Sequence, residues 1–352
     1  MRYPEQMVKD FAAAVMEKVG LSPEDARTFA HSLAESEMRG VSSHGITRLK
    51  IYSDKIRTGE IRPVADVAVA NAGETGAALL LDGANGPGVV VAAKAMDLCI
   101  ERARKTAACF AAIRNTSHYA AGWYFPTRAS RQGLIGFSIC NGNPLMVPHG
   151  GLTPMLGTNP LTIAIPAGRH PDLVLDMATS AAAKGKVDFY AKVGKPIPEG
   201  WMVDKDGLPT TNPADVLSGG AMTAFGGVKG YGIALIIDIV SSALSGAKNG
   251  RQLTSFFSCP DPEGYKNVGM FMGALDVEKF VPIDVFRERV DGILDEFKNC
   301  PPAKGTDEVM IPGEIEHRKF VDSRLNGIEL ADNIVAELRG LAAQYGIRDP
   351  FR

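Results

Sequence analysis

The 352-residue chain lacks several features that would place it in a specialised class of proteins. Its first residues, MRYPEQMVKDF, contain no apolar segment of the kind that a signal peptide needs. No run of about 18 apolar residues predicts a transmembrane helix. Acidic and basic residues nearly balance, at 40 and 38, so no positive excess predicts binding to nucleic acid or to an anionic membrane surface. We therefore expect a soluble, cytoplasmic protein with neither of those partners.

Cysteine is scarce and irregularly placed. The five cysteines are odd in number, are never spaced as C-x-x-C, and lie at positions 99, 109, 140, 259 and 300. Such a set predicts neither a disulfide framework nor a zinc knuckle. We expect reduced thiols that serve mostly as small core residues.

Several catalytic and nucleotide-binding motifs are also missing. The chain has no HExxH or HxxxH pair, which argues against a metal site, and no G-x-S-x-G nucleophile elbow. The stretch DGANGPG (82–88) reads G-x-x-G-x-G, so it fails the Rossmann fingerprint, and GGVKGYG (226–232) is not a Walker A loop. A helix start beside Lys229 could attract phosphate, or Lys229 could be an ordinary solvated lysine.

The composition that is present suits a large buried core, with 45% hydrophobic and 22% charged residues. Short apolar runs bounded by Gly, Pro or Asn predict buried strands at 76–83, 110–115, 134–140, 161–166 and 172–178. Residues 88–106 and 230–247 predict helices between them, which makes the centre of the chain α/β. Residues 191–213, rich in Pro and Gly, predict a long excursion over a site or an interface.

Both ends of the chain show helical periodicity, at 4–20, 23–39 and 325–345. The second of these helices begins with Ser22 and Pro23, a typical N-cap followed by a proline at the first helical position. Because terminal helices usually pack together, we predict a helical domain built from both termini.

The stretch VSSHGITRLKIY (41–52) raises a question of geometry. If the chain turns helical at the Ser-Ser pair, His44, Arg48 and Tyr52 share one stripe at i, i+4 and i+8. The opposite face offers Ile46, Leu49 and Ile56 for burial. A specific ligand could therefore lie against the imidazole, guanidinium and phenol on the other side of the helix.

Two further residues are candidates for a site at strand ends. His118 lies just beyond a predicted strand and precedes small residues that would leave room for a ligand, although a lone loop histidine is more often structural. Asp176 ends another strand and could approach a ligand or simply cap the following turn. The residues alone leave both roles open.

Eight blocks of sequence, in order from about residue 40 to 316, resemble the type 2 malate/L-lactate dehydrogenase family. That family includes malate, sulfolactate and ureidoglycolate dehydrogenases, diketogulonate reductase and piperideine-2-carboxylate reductases. The blocks are SSHGITRLKIY, RNTSHYAAGWY, NPLMVPHGG, GTNPLTIAIP, LDMATSAAAKGKV, PIPEGWMVDKDGLPTTNP, GGVKGYGIAL and IPGEIE. The resemblance implies a nicotinamide-binding mixed-sheet fold that is not Rossmann, with NAD or NADP as cofactor, a small carboxylate substrate and a homodimer.

The resemblance also implies roles for individual residues. His118 and His44 match the acid/base histidines, and Ser43, Arg48 and Tyr52 match substrate-binding positions. The positions that match cofactor-binding segments are Asn143, Asp176, Met177, Ala178, Lys229, Gly230, Gly313 and Glu314. His149 departs from the residues that many relatives carry there. No metal ligand is implied.

The expected domains are a helical domain (1–62 and 318–352), an α/β domain (63–129 and 282–317) and a nicotinamide-binding domain (130–281). Hydride transfer at C2 of a 2-hydroxy acid needs a base, a cation for the carboxylate and a pocket that excludes water. His118 or His44 could be the base, and Arg48 could be the cation. Reduction of a cyclic imino acid on the same scaffold is the alternative activity. A non-catalytic or metal-dependent protein is the alternative from another class.

Overall fold

A computed structural model of the chain describes residues 1–71, 76–257 and 266–351. Its helices are α1 Glu5–Lys18, α2 Pro23–Met38, α3 Leu49–Arg57, α4 Gly88–Thr106, α5 Tyr124–Ser130, α6 Lys184–Lys192, α7 Val228–Ser242, α8 Ile283–Lys298, α9 Glu314–Asn326 and α10 Asp332–Tyr345. Its strands are β1 Arg2–Tyr3, β2 Ala68–Val69, β3 Ala78–Gly86, β4 Ala108–Thr116, β5 Leu134–Cys140, β6 Leu161–Ile165, β7 Leu173–Met177, β8 Met202–Val203, β9 Pro209–Thr210, β10 Ala221–Met222, β11 Val268–Asp276 and β12 Ile328–Glu329.

A seven-stranded mixed sheet forms the centre of the molecule, in the order β2-β3-β4-β11-β5-β6-β7. Only the β3–β4 pair is parallel among the neighbours in this sheet. It follows from these pair directions that β3, β4, β5 and β7 run the same way and end at the same edge. Loops at that edge are therefore brought together from four separate parts of the chain.

The apolar runs predicted as strands are confirmed as β3 to β7, and the α/β class is confirmed. The strand β11 was not predicted, yet it lies in the middle of the sheet between β4 and β5. The strand is rich in glycine and methionine, and Val268 is its only β-branched residue. The segment just before β11 is consequently placed at the centre of the sheet edge.

The helices predicted at 88–106 and 230–247 are present as α4 and α7, and those predicted at 4–20 and 23–39 are α1 and α2. The Ser22 side chain accepts a hydrogen bond from the Asp25 N–H at 3.2 Å, as an N-cap does. The single helix predicted at 325–345 is wrong. Gly327, with φ of 86°, ends α9, and the chain passes through β12 before α10 begins.

The two termini meet in space. β1 pairs with β12, α1 packs against α2 and α10, and α2 contacts α9. One continuous hydrophobic core joins these helices to α4 and the central sheet. The domain boundaries given above remain predictions.

The Pro- and Gly-rich excursion folds into a small sheet of its own, in the order β10-β8-β9. A second hydrophobic cluster lies beneath it and consists of Met146, Leu156, Val187, Ile197, Met202, Met222 and Ala234. Four cysteines fall in the described residues and all are free: Cys99, Cys109 and Cys140 are buried and Cys300 is exposed. Cys259 lies outside the described residues.

In the described part of the chain, no helix is both long and apolar enough to cross a bilayer.

Candidate active site

The segment that carries His44, Arg48 and Tyr52 is not the continuous helix that was expected. Two 3-10 turns, Ser42–His44 and Ile46–Arg48, are separated by Gly45, whose backbone is extended at φ −91° and ψ −150°. The α-helix α3 begins only at Leu49. Gly45 interrupts the helical path, so His44 reaches the site from its own turn.

The apolar residues of this segment are buried as predicted, since Ile46 and Leu49 are fully buried and Ile56 is 5% exposed. Tyr52 is fully buried too, which the stripe did not predict. Its phenol turns inward and meets the loop that follows β4. Tyr52 is therefore part of the interior of the site.

Tyr52 and His118 form the central contact. The Tyr52 hydroxyl lies 2.5 Å from Nδ1 of His118 and 3.3 Å from the His118 carbonyl oxygen. The Ala120 N–H approaches the same Nδ1 at 3.3 Å. A tyrosine hydroxyl can donate to an unprotonated Nδ1 or accept from a protonated one. Because Tyr52 occupies Nδ1, a proton exchanged with a ligand would be carried by Nε2, with Nδ1–H donating to the Tyr52 oxygen before and after the exchange.

Aromatic rings enclose the His118 imidazole. It stacks on Phe256 with a centroid distance of 4.5 Å and on His44 at 5.8 Å, with interplanar angles of 24° and 18°. Burial lowers the pKa of His118 well below its usual value, and the charges of His44 and Arg48 lower it further. The resting imidazole is therefore neutral and able to accept a proton at neutral pH.

Ser43, His44 and Arg48 brace one another. The Ser43 hydroxyl lies 2.9 Å from Nδ1 of His44, and Nε of Arg48 donates to the Ser43 carbonyl at 2.5 Å. Burial, followed by the charge of Arg48, lowers the pKa of His44 to about 4.

The Arg48 guanidinium lies over the Phe257 ring, 4.6 Å from its centroid. No carboxylate pairs with Arg48 among residues 1–71, 76–257 and 266–351. With Nε committed to Ser43, the two terminal nitrogens remain as a fork suited to a carboxylate.

A small cavity of about 40 Å³ joins His118 to the ends of β5 and β11. Asn143 lines this cavity, so the structure brings together one predicted cofactor residue and the predicted acid/base histidine. Sequence reasoning missed Thr254, Phe256 and Lys266, which also line it. Nζ of Lys266 donates to the Thr254 hydroxyl and to the Ser255 carbonyl. The paired aromatics of LTSFFS, in a polar loop, were the available signal for this segment.

Asp176 lies on β7, the outer strand, and is exposed as a residue although protein surrounds its carboxylate. Oδ2 accepts the Trp123 N–H and Oδ1 accepts the Thr162 hydroxyl, both at 2.9 Å. Desolvation raises the pKa of Asp176, and the two hydrogen bonds oppose that shift. Asp176 therefore fixes the end of the 118–123 loop at the start of α5. It does not cap the turn that follows its own strand.

Met177 and Ala178 follow Asp176 and are half-buried at the shared sheet edge. Next along the chain, the Thr179 carbonyl accepts the Phe225 N–H at 3.0 Å. Gly230 packs directly on the Phe225 carbonyl, where an ideal Cβ would overlap that oxygen. Lys229, beside it, is exposed. These contacts gather Met177 to Thr179 and Lys229–Gly230 into one group.

Gly313 and Glu314 lie on the other side of β7. An ideal Cβ on Gly313 would stand 2.9 Å from the Val174 carbonyl oxygen, and φ of 87° also favours glycine here. Desolvation opposes ionisation of Glu314, but hydrogen bonds from the Ile311 N–H, Lys298 and Arg318 give a lowered pKa. Glu314 thus has a structural role whatever else it contacts.

The remaining features of the site are quickly placed. His149 is exposed on its loop and does not line the cavity. Gly88, in the failed glycine motif, packs against the carbonyls of Ser117 and His118, and its N–H donates to the Ser117 hydroxyl at 2.9 Å. The motif therefore supports the His118 loop. Throughout the described residues, no three His, Cys, Asp or Glu side chains are grouped to hold a metal ion.

Comparison with known proteins identifies the family of the chain. The family model for malate/L-lactate dehydrogenase matches residues 3–339. The chain is 38% identical over 333 residues to L-sulfolactate dehydrogenase of Methanocaldococcus jannaschii, covering 95% of this chain and 94% of that protein. It is 36% identical over 356 residues to malate dehydrogenase of Pyrococcus abyssi, covering 99% and 96%. The solved structure of the M. jannaschii enzyme matches with a TM-score of 0.91 at 36% identity, covering 99% of this chain and 98% of that one.

These findings define the class as an oxidoreductase that transfers hydride between a nicotinamide cofactor and a small 2-hydroxy acid. Relatives are named for NAD(+) in one case and NADP(+) in another, which agrees with the predicted cofactors. The chain belongs to the malate/L-lactate dehydrogenase family, as the eight sequence blocks predicted.

Proposed function

We propose that His118 exchanges the proton, Arg48 binds the substrate carboxylate, and the reaction interconverts a 2-hydroxy acid of malate, lactate, sulfolactate or ureidoglycolate type with its 2-keto acid. The observation that carries this proposal is the 2.5 Å contact between Tyr52 and Nδ1 of His118, beside Arg48, which forms no ion pair with any described carboxylate. A neutral buried imidazole takes the hydroxyl proton as the C2 hydride leaves. The same imidazole returns the proton when the keto acid is reduced.

Arg48 and Ser43 bind and orient the acid in this proposal. A carboxylate held by the two terminal nitrogens of Arg48 has its C2 turned towards the neighbouring imidazoles. His44, held by Ser43, lines the same space and is the second candidate for the proton. Phe256 and Phe257 exclude water, which strengthens the electrostatic contacts of the bound acid.

The residues around β7 and α7 fit a nicotinamide dinucleotide. α7 has 15 residues, its N-cap Gly227 provides no side-chain cap, and its first turn contains no acid. Its free N–H groups and the exposed Lys229 suit phosphate, while Asn143, Asp176, Met177, Ala178, Gly230, Gly313 and Glu314 would line the rest. When bound, the nicotinamide supplies the hydride acceptor or donor. We also propose that this binding mode is not Rossmann, since the β3–α4 glycines support the His118 loop.

A homodimer and a cytoplasmic location are part of the proposal. α7 exposes large apolar side chains, with Ile236 at 62% and Ile239 at 51% exposure. Such a row on one helix suits a subunit interface. Light scattering coupled to gel filtration tests the dimer.

We also propose the three domains with the boundaries given above, of which the helical domain is formed from both termini.

The test is a spectrophotometric screen at 340 nm with NADH and NADPH and without added metal. Oxaloacetate, pyruvate and sulfopyruvate represent the keto acids, and Δ1-piperideine-2-carboxylate represents the cyclic imines. The imine belongs in the screen because a piperideine-2-carboxylate reductase structure matches with a TM-score of 0.86 at 29% identity. Keto acid reduction at higher kcat/KM than imine reduction supports the proposal. Reduction of the imine alone would reverse it in favour of the second activity.

A further inference from the structure

The carboxylate of Glu37 ties the segment that carries His44 and Arg48 to helix α2. Oε2 of Glu37 accepts the Ile46 N–H at 3.0 Å, and the nearby Ser42 side chain acts with that bond to lower the pKa of the carboxyl. Ile46 follows His44 by two residues. Glu37 therefore holds the chain just beyond His44, from the last turn of a helix packed in the core.

Gly45 packs directly against the carboxylate of Glu37. An ideal Cβ on Gly45 would overlap Oε2 of Glu37. The φ of Gly45 is −91°, so a left-handed backbone is not the reason for glycine here. The position requires glycine because the carboxylate of Glu37 occupies the space of a side chain.

The surroundings leave Glu37 few other functions. Burial desolvates the Glu37 carboxyl and raises its pKa, and interactions with the Ser42 side chain and the Ile46 N–H oppose that shift. Within the described part of the chain, no lysine or arginine forms an ion pair with Glu37. A desolvated carboxylate loses free energy of stabilisation if its hydrogen bonds are broken. The position of Glu37 and the position of the backbone that donates to it are therefore coupled.

We propose that Glu37 is a positioning residue, which sets the distance of His44 and Arg48 from His118 through the Ile46 N–H and its close contact with Gly45. This inference rests on the proposed function of those three residues. The rings of His44 and His118 stack with their centroids 5.8 Å apart, and Arg48 donates to the Ser43 carbonyl, just before His44. A displacement of about 1 Å at a reacting group can lower a rate about 100-fold.

The experiment is a double-mutant cycle between Glu37 and Gly45. Glu37→Ala frees the segment and Gly45→Ala pushes the carboxylate away, so each alone should lower kcat/KM about 10- to 100-fold. The double variant should be no worse than Glu37→Ala, because both changes remove one interaction. Glu37→Gln retains an acceptor oxygen and should keep most activity. The dissociation constant of NADH, measured by fluorescence, should change less than twofold in every variant.

Two matched controls test for general effects. Glu24→Ala removes an exposed carboxylate from the same helix, and Gly340→Ala adds a methyl group where nothing lies within 4 Å. Both should behave as wild type.

Wild-type kinetics in Glu37→Ala would overturn the proposal, as would losses that multiply in the double variant. A loss of NADH affinity equal to the loss of kcat/KM would also overturn it, since the residue would then maintain the fold in general. If Glu37→Ala does not fold, Glu37→Asp replaces it. An active Gln variant with an impaired Asp variant supports positioning, and equal activity of the two refutes it. Failure of the wild type to bind or use any nicotinamide nucleotide would instead refute the proposed function.

Discussion

Replacing Tyr52 with phenylalanine removes one oxygen atom from the site and leaves the ring. The ring keeps its contacts with Phe29 and Phe256, at centroid distances of 4.9 and 5.0 Å, so packing should survive. The hydroxyl loses its 2.5 Å contact with Nδ1 of His118. A hydrogen bond to a charged group contributes about 1.5 to 3 kcal/mol, and the His118 imidazolium forms only during turnover. We expect kcat/KM to fall about 10- to 150-fold.

The assay measures kcat, KM and the NADH dissociation constant for Tyr52→Phe, alone and combined with His118→Asn. If Tyr52 acts through His118, the loss lies mainly in kcat, and the second change adds little once His118 is gone. A variant within twofold of wild type would refute the reasoning. A loss confined to KM, or full multiplication of the two effects, would show that Tyr52 acts on the substrate directly, as the predicted stripe implied.

Three further predictions follow from the same geometry. His118→Asn should lower turnover about 10²- to 10⁴-fold with NADH binding largely intact; near-normal turnover together with an inactive His44→Asn enzyme would exchange the two roles. Arg48→Lys should lower kcat/KM about 10- to 150-fold, because an ammonium cannot reproduce the fork, and Arg48→Leu should be worse. Wild-type kcat/KM in Arg48→Leu would exclude the carboxylate role. Because the pKa of His44 is lowered to about 4 and that of His118 is also lowered, kcat/KM for oxidation should stay level as the pH falls through 6.5. An acid limb of the rate profile at or above pH 6.5 would contradict this assignment. As the pH falls from 6.5 towards 4, His44 is protonated in the unfolded chain but stays neutral in the folded one. The stability to denaturant should therefore fall over that range.

Local patterns in the sequence predicted most of the central sheet. The runs that became β3 to β7 are short, apolar and bounded by turn residues, and that pattern is typical of strands. The order of the strands was not predictable in this way. β11 lies between β4 and β5 although it is far from both in the chain, and its pairing depends on packing between distant residues.

Two predicted helices are interrupted at glycines in the structure. Gly45 and Gly327 each stand inside a helical pattern, and each ends or interrupts a helix. At Gly327, a positive φ and a close approach to the Tyr3 backbone explain the break. At Gly45 the cause is the carboxylate of Glu37, eight residues earlier in the chain. Both glycines therefore meet groups outside their own helical turn, which the helical pattern does not reveal.

The pairing of Tyr52 with His118 could not be predicted from the residues, although both were named as candidates. The two are 66 positions apart, on α3 and after β4. Their approach depends on how deeply α3 is set against the core, which the contact of Tyr52 with Phe29 of α2 helps to fix. It depends equally on the loop after β4, whose far end Asp176 holds through the Trp123 N–H. Resemblance to the family identified the two side chains, but the hydrogen bond between them is a product of α2, α3, β4 and β7 packing together.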